Sequence, residues 1–295
     1  MGEPTLPDQW LQHARRGDFT QAWHISDRIL EQHRRRPDYS LPRHFQSIWT
    51  GAPIAGQRVL IRCYHGLGDT IQFIRYAPIL RSIAREVIVW GQPELLPLLR
   101  TVEGIDRLLP LHDGSPGLEY DVDLEVMELP FVFRSTLETL PRAVPYLSVD
   151  TAVLPGKAPR VGLVWRAGDW ETERSMPFAA LRPLLEMDRF TWCSLQQGRR
   201  PAETHTGLFD ISAPDLSEAA RRIKSVDLLI TVDSMPAHLA GALAVPVWTL
   251  LKTHADWRWV EDREDSPWYP TMRLFRQSRS GAWAEVIDRV RTALT

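Results

Sequence analysis

Short apolar runs alternate with longer amphipathic segments along most of this chain. In the first half, they predict strands over 59–63, 87–90, 107–111 and 121–126, and helices over 70–84 and 94–99. In the second half, they predict strands over 161–165, 190–195, 228–232, 245–251 and 272–275, and helices over 178–187, 216–225, 236–243 and 282–294. Because strands that alternate with helices form parallel sheets covered by helices, the pattern predicts an α/β fold with two parallel-sheet domains in series.

The N-terminal part of the chain shows a helical period instead. Apolar residues recur at helix-like intervals over 7–37, on both sides of the turn Gly17-Asp18, and this predicts one helical hairpin. The pattern, closed by Pro37, resembles a single tetratricopeptide unit. One such unit cannot bury its own apolar face, so we expect the hairpin to pack on the next domain or on another subunit.

The length of 295 residues suits two domains of ordinary size. Pro155, Gly156 and Pro159 are typical of a connecting segment. We therefore predict a helical hairpin over 1–50, a first Rossmann-like domain over 51–150, a linker over 151–159 and a second Rossmann-like domain over 160–295.

The composition excludes several classes of protein. A net charge of -2, from 35 basic and 37 acidic residues, gives no electrostatic footprint for nucleic acid. Two cysteines, Cys63 and Cys193, are too few for a disulfide framework and indicate a reducing compartment. The chain shows no N-terminal signal pattern and no apolar run near the roughly 18 residues of a membrane span, so we expect a cytoplasmic protein without integral membrane association.

Two polar motifs each follow a predicted strand and open a predicted helix. They are Gly66-Leu67-Gly68-Asp69-Thr70 in the first half and Asp233-Ser234-Met235-Pro236-Ala237-His238 in the second. α/β proteins bind ligands at the carboxyl ends of their parallel strands, where a helix N-terminus can hold a phosphate. We therefore expect two ligand-binding sheet edges that face each other across a cleft.

Asp69 has two interpretations. It is either an N-cap that satisfies the first turn of the helix, or a base that takes a proton from a hydroxyl nucleophile. His65, just before the glycine turn, either assists this carboxylate or only lines the cleft. Both motifs lack the longer patterns of P-loop enzymes and dinucleotide enzymes, so neither class is supported.

The second motif also has two interpretations. A hydroxyl, successive backbone amides and the imidazole of His238 at one helix start form a cradle for a diphosphate. Simple capping by Asp233 and Ser234, with His238 buried in the helix, accounts for the same residues. The nine histidines are scattered, so no metal site is predicted.

Other candidates follow strands of the second half. Arg174 either binds phosphate oxygens or forms a surface pair with Glu171 or Glu173. Gln196 ends the next predicted strand, where it could contact a nucleoside. The aromatic stretch 257–259 forms core, cleft wall or both.

Several motifs, taken in order, resemble the glycosyltransferase module of bacterial tetratricopeptide-repeat glycosyltransferases, which are similar to the ADP-heptose lipopolysaccharide heptosyltransferase family. The resemblance extends from about Trp49 to the C-terminus. The motifs are Gly66-Leu67-Gly68-Asp69-Thr70-Ile71-Gln72-Phe73-Ile74-Arg75-Tyr76, Val161-Gly162-Leu163-Val164-Trp165, Arg174-Ser175, Ser194-Leu195-Gln196, Val232-Asp233-Ser234, Ala237-His238-Leu239-Ala240-Gly241-Ala242-Leu243, and Trp268-Tyr269-Pro270 through Arg273-Leu274-Phe275-Arg276-Gln277.

The resemblance implies a GT-B fold, with the donor held mainly by the second domain and the acceptor by the first. It implies an inverting transfer with no metal and no cofactor, in which a nucleotide-diphosphate sugar is the donor substrate. The implied catalytic residues are Asp69, as general base, and His65. The implied donor-binding residues are Arg174, Ser175, Gln196, Asp233, Ser234, Met235 and His238. The implied acceptor or loop residues are Tyr64, Gly66, Gly68 and Gln72.

The chain departs from this pattern at Tyr64-His65, where many relatives have Glu-Gln. This change alters the acceptor side and leaves open whether the acceptor is a protein, a peptide or a glycan. We predict a metal-independent inverting glycosyltransferase that uses a nucleotide sugar and forms a homo-oligomer or binds a partner through the hairpin. The alternatives are a non-catalytic module that binds a nucleotide sugar or a protein, and a sugar-nucleotide epimerase.

Overall fold

The chain folds into two compact units in a computed structural model that describes residues 3–35, 40, 42–168 and 171–295. The first unit comprises Met1–Arg142 and Asp256–Glu261, and the second comprises Ala143–Ala255 and Asp262–Thr295. This division assigns the predicted hairpin to the first unit and the predicted linker 151–159 to the second. Pro37, at which we expect the hairpin to end, lies outside the described residues.

The first unit begins with the predicted hairpin, formed by α1 (Leu6–Arg15) and α2 (Phe19–Arg35). The apolar face of the hairpin is covered within the same unit. Trp10 and Phe19 meet the ring of Trp257 edge-on, at centroid distances of 5.3 and 5.7 Å. The indole of Trp23 donates a hydrogen bond of 2.7 Å to the carbonyl of Ser135. The hairpin is therefore part of the core of the first unit.

A parallel sheet forms the centre of the first unit, with β1 (Arg58–Arg62), β2 (Glu86–Gly91), β3 (Arg107–Pro110) and β4 (Val122–Glu125). The strand order is β3-β2-β1-β4. The apolar residues of β1 and β2 are fully buried, which explains why their sequence shows continuous apolar runs. After the hairpin, the described α-helices of this unit are α3 (Leu67–Phe73), α4 (Ala77–Ile83), α5 (Leu96–Leu99) and α6 (Leu129–Val132).

The single helix predicted over 70–84 is instead two helices. α3 begins three residues earlier than predicted because Gly66 is its N-cap. A 3₁₀ turn over Ile74–Tyr76 separates α3 from α4, and Pro78 is the second residue of α4. Proline is favourable in a first helical turn, where its missing N–H would have no partner. Pro78 is therefore compatible with the start of α4.

The second unit has a larger parallel sheet, formed by β5 (Arg160–Val164), β6 (Thr191–Ser194), β7 (Leu208–Asp210), β8 (Leu228–Val232), β9 (Val247–Leu251) and β10 (Met272–Arg276). The order is β10-β9-β8-β5-β6-β7, and the sequence did not predict β7. The helices are α7 (Arg182–Leu185), α8 (Leu216–Lys224), α9 (Met235–Ala242) and α10 (Trp283–Leu294). Two parallel sheets and the N-terminal hairpin confirm the predicted α/β fold class.

The helix α9 is buried along most of its length. Ala237, Leu239, Ala240 and Ala242 are fully buried, and Gly241 lies against the ring of Tyr269. The position of α9 fixes the loop that precedes it, because a buried helix has little freedom to shift.

Among the described residues, no helix has both the length and the hydropathy that a membrane span requires.

We expect Gly241→Ala to destabilise the protein by about 1–3 kcal/mol, because the added Cβ overpacks the core. The new Cβ would lie 2.3 Å from Cδ1 of Tyr269, and this clash outweighs the roughly 1 kcal/mol by which alanine is favoured in a helix. Thermal unfolding of Gly168→Ala provides the control, since the Cβ position of Gly168 has no non-neighbouring atom of the described residues within 4 Å. An unchanged melting temperature for Gly241→Ala would show that the Tyr269 ring moves aside.

Candidate functional site

Asp69 lies at the start of α3, at the carboxyl end of β1. Its Oδ2 accepts a hydrogen bond of 3.0 Å from the backbone N–H of Gly66, which is the N-cap of the helix. Asp69 is the third residue of the helix, so the interpretation of Asp69 as the N-cap is wrong in position, although its carboxylate does satisfy a backbone N–H at the helix start. Its other oxygen, Oδ1, lies 2.7 Å from Nη1 of Arg258. One helix start thus holds a carboxylate between a backbone amide and a guanidinium.

Arg258 belongs to the 3₁₀ turn Trp257–Trp259, within the segment 256–261 that joins the first unit. Its Nε also lies 2.8 Å from Oδ1 of Asp256, and its guanidinium stacks over Phe73 at 5.6 Å. The residue is only 7% exposed, so the charge of Arg258 is balanced by carboxylates rather than by water. Sequence reasoning missed this partner because 189 residues separate the two side chains.

His65 pairs with a buried carboxylate. Its Nδ1 lies 2.9 Å from Oε1 of Glu125, the last residue of β4. Burial lowers the pKa of His65, but the adjacent carboxylate of Glu125 outweighs this effect, and the net pKa is raised. The negative charge of Asp69 also contributes to raising this pKa. Glu125 therefore both orients the ring and favours its protonated form.

The neighbouring loop residues are also held at this edge. The backbone N–H of Tyr64 donates to Glu125 (3.2 Å), and Nη1 of Arg62 donates to the hydroxyl of Tyr64 (2.6 Å). The tyrosine ring lies under the guanidinium of Arg43 at 5.3 Å. Gln72, which the resemblance assigned to the acceptor side, is fully buried, and its side-chain amide has no hydrogen-bond partner among the described residues. Gly66 is the N-cap of α3, whereas Gly68 is the second residue of that helix and does not lie in a turn before it.

In the second unit, Arg174 reaches the end of β8. Its Nη1 donates a hydrogen bond of 3.1 Å to the carbonyl oxygen of Asp233, and its Nε lies 3.6 Å from a carboxylate oxygen of Glu171. The pair with Glu171 is present in the structure, and the side chain also contacts the second motif. Binding of phosphate oxygens by Arg174 stays a prediction. The motif and Arg174 lie together at one sheet edge.

The second motif itself forms the start of α9. Ser234 is the N-cap, but its hydroxyl donates to the carbonyl of Val232 (3.1 Å) and does not cap the helix. Met235 is the first residue of the helix. His238 is buried, with its Nδ1 3.1 Å from the hydroxyl of Tyr269, as expected for a histidine satisfied within the core. His238 is therefore a core residue of α9.

Gln196 links the ends of β5 and β6. Its Oε1 accepts hydrogen bonds from the backbone N–H groups of Trp165 (3.1 Å) and Arg166 (2.8 Å). Its Nε2 donates to the carbonyl of Gln197 (3.0 Å). The residue is 6% exposed, so its amide mainly braces the strand ends, and a contact with a nucleoside stays a prediction.

A pocket of about 540 Å³ lies beside these strand ends in the second unit. Its volume is within the usual range for small-molecule sites. The hydroxyl of Ser175 accepts a hydrogen bond of 3.1 Å from the N–H of Ala167, and Nη1 of Arg166 lies 2.6 Å from Glu203. Residues lining the pocket include Arg166, Ser175, Met176, Phe178, Arg200 and Glu203. Sequence reasoning named Ser175 but missed Arg166 and Glu203 as a pair.

Part of this chain matches the model of a known protein family. Residues 210–282 match the family model that is described as Glycosyltransferase family 9 (heptosyltransferase). Protein FlbA of Caulobacter vibrioides is 27% identical to this chain over 286 residues, an alignment that covers 83% of the chain and 48% of FlbA. The chain therefore spans about half the length of this curated relative.

Solved structures of heptosyltransferases have a fold similar to that of this chain. The ADP-heptose lipopolysaccharide heptosyltransferase II of E. coli has a TM-score of 0.57 at 13% identity, with 80% of this chain and 97% of that structure covered. The E. coli heptosyltransferase WaaC with ADP has a TM-score of 0.55 at 14% identity, with 80% and 98% covered. The fold is thus that of GT-B heptosyltransferase structures.

Proposed function

We propose that this protein transfers a sugar from a nucleotide-diphosphate donor to a hydroxyl-bearing acceptor, with inversion at the anomeric carbon and without a metal ion. One observation carries the proposal: the family match includes β8 and α9, and Arg174 reaches the loop between them. A cation beside a helix N-terminus is suited to bind the phosphates of a leaving nucleoside diphosphate.

In the proposed reaction, the carboxylate of Asp69 takes the proton of the acceptor hydroxyl. The acceptor oxygen bonds to the anomeric carbon as the bond from that carbon to the diphosphate breaks. Arg174 and the loop 233–235 stabilise the negative charge that develops on the departing diphosphate. The pocket lined by Ser175 and Arg166 would hold the nucleoside.

Arg258 and His65 assist Asp69 in this proposal. Arg258 holds one carboxylate oxygen at 2.7 Å and keeps Asp69 in a fixed orientation. Glu125 binds Nδ1 of His65, so the opposite ring nitrogen would contact the acceptor. Tyr64, beside His65, would help to select an acceptor that is a protein, a peptide or a glycan.

Replacing the proposed base tests the reaction directly. We expect Asp69→Asn to lower transfer by about 10²–10⁴-fold, the usual contribution of a general base, and to leave nucleotide affinity unchanged. Release of nucleoside diphosphate from a panel of nucleotide sugars, with and without EDTA, provides the measurement. Asp121→Asn is the matched control, since Asp121 forms a similar pair with Arg58 (2.9 Å) at the first residue of β1. Undiminished turnover in Asp69→Asn would exclude Asp69 as the base.

The role of Arg258 as a positioning residue makes a separate prediction. We expect Arg258→Met to lower turnover by about 10–100-fold, the value of a charge-assisted hydrogen bond, and Arg258→Lys to lose less. The acid limb of the pH–rate profile should move to higher pH in Arg258→Met, because a positive charge beside the carboxylate is lost. Arg58→Met is the control. A pH profile identical to that of the unmodified protein would indicate a purely structural role.

The donor site is tested by binding. We expect Arg174→Ala to weaken nucleoside diphosphate affinity by about 10–100-fold, because a charge-assisted contact with phosphate is removed. Isothermal titration calorimetry with ADP, UDP and GDP measures the change. Arg182→Ala is the control, as Arg182 forms an exposed pair with Glu186 (2.9 Å) in the same unit. Equal affinities in the unmodified protein and Arg174→Ala would return Arg174 to the surface-pair interpretation.

A further inference from the structure

Glu171 lies between two cations at the carboxyl edge of the second sheet. Lys252 follows β9 directly, and its Nζ forms an ion pair with Oε1 of Glu171. The other carboxylate oxygen of Glu171 lies 3.6 Å from Nε of Arg174. Oε2 of Glu173 lies 3.6 Å from the same Nζ of Lys252. An internal carboxylate thus bridges Arg174 and Lys252.

The sheet topology places this bridge beside the start of α9. β8 and β9 are parallel neighbours, and Val232 of β8 is paired with Leu250 of β9. Asp233 and Lys252 therefore leave the sheet at the same edge. Arg174 contacts Asp233 from a different part of the chain, so its cation and that of Lys252 are brought to one loop.

The start of α9 offers few hydrogen-bond donors of its own. Pro236 has no backbone N–H, and the N–H of Ala237 donates to the carbonyl of Ser234 (2.9 Å). The hydroxyl of Ser234 is engaged with the carbonyl of Val232. Side-chain cations are therefore well suited to complete the neutralisation of an anion at this helix start. Arg174 contacts Asp233 directly, and Glu171 links Lys252 to Arg174.

We propose that Lys252 is a second ligand of the donor diphosphate, and that Glu171 is an internal anion which holds both cations until the diphosphate displaces it. This inference rests on the proposed function, since it names a further residue of the same donor site. A diphosphate carries more negative charge than one carboxylate, and it can contact Arg174 and Lys252 at once. Glu171 is 38% exposed at its side chain, so water can solvate it after displacement.

Competition by an internal anion has a measurable signature. Removing the charge of Glu171 should tighten nucleotide binding, whereas removing the charge of Lys252 should weaken it. We expect Glu171→Gln to bind nucleoside diphosphates about two- to fivefold more tightly, the range for breaking a partly exposed ion pair. We expect Lys252→Met to bind about tenfold more weakly and Lys252→Arg to bind nearly as well as the unmodified protein.

The experiment is calorimetric titration of the full chain and these variants with ADP, UDP, GDP and inorganic pyrophosphate. Glu186→Gln is the control for Glu171→Gln, because it breaks the exposed pair of Glu186 with Arg182 in the same unit. Circular dichroism and thermal unfolding establish that each variant is folded. Lys252→Arg keeps the charge, so its recovery of binding separates loss of charge from loss of structure.

The outcomes distinguish this inference from the proposed function. If the unmodified protein binds a nucleoside diphosphate and neither Glu171→Gln nor Lys252→Met changes the affinity, the inference is wrong and the proposed function stands. If binding is seen only after Glu171→Gln, the internal anion is confirmed as a block. If no variant binds any nucleotide or pyrophosphate, both proposals are overturned.

Discussion

The strands of each sheet run in the same direction, and this constraint brings together side chains that lie far apart in the chain. In the first unit, Tyr64 and His65 leave β1 next to Glu125, the last residue of β4. In the second, Asp233 and Lys252 leave neighbouring strands at one edge. Side chains that follow the last residue of a strand lie outside the sheet, so they can contact residues from distant loops.

Those distant partners give each edge its electrostatic character. Asp69 would be an ordinary residue of a first helical turn if Arg258 did not lie against it. Arg174 would be an exposed arginine without the carbonyl of Asp233. In both cases a charged side chain is held partly out of water by contacts from another segment, which raises the strength of its interactions. The chemistry of both edges therefore depends on tertiary contacts.

Much of the fold could be predicted from the sequence, because buried parallel strands consist of continuous runs of apolar residues. The predicted strand over 228–232 coincides with β8, and most other strands differ by one or two residues at an end. The short edge strand β7 was missed because it has only three residues and ends at Asp210, so its apolar run is too short to indicate a strand. The helix over 70–84 was wrong because the effect of Pro78 depends on where the helix begins.

The candidate site was predictable only in part. Motifs that follow a strand identified Asp69, His65 and the loop at Asp233, because local order in the chain fixes where a strand-end loop lies. No local pattern could indicate that Arg258 pairs with Asp69, since 189 residues separate them. The burial of Gln72 was equally hidden, because a polar residue on a short helix carries no sign of the side it presents.

The excursion of 256–261 into the first unit has a consequence for dissecting the protein. The chain passes from one unit to the other at 142/143, at 255/256 and at 261/262, so no single cut separates the units. A fragment that stops at Arg142 would keep Asp69 but lack its guanidinium partner. It would also leave Trp10 and Phe19 without the Trp257 ring that covers them. The hydrophobic core of the first unit is thus completed only after most of the polypeptide has been synthesised.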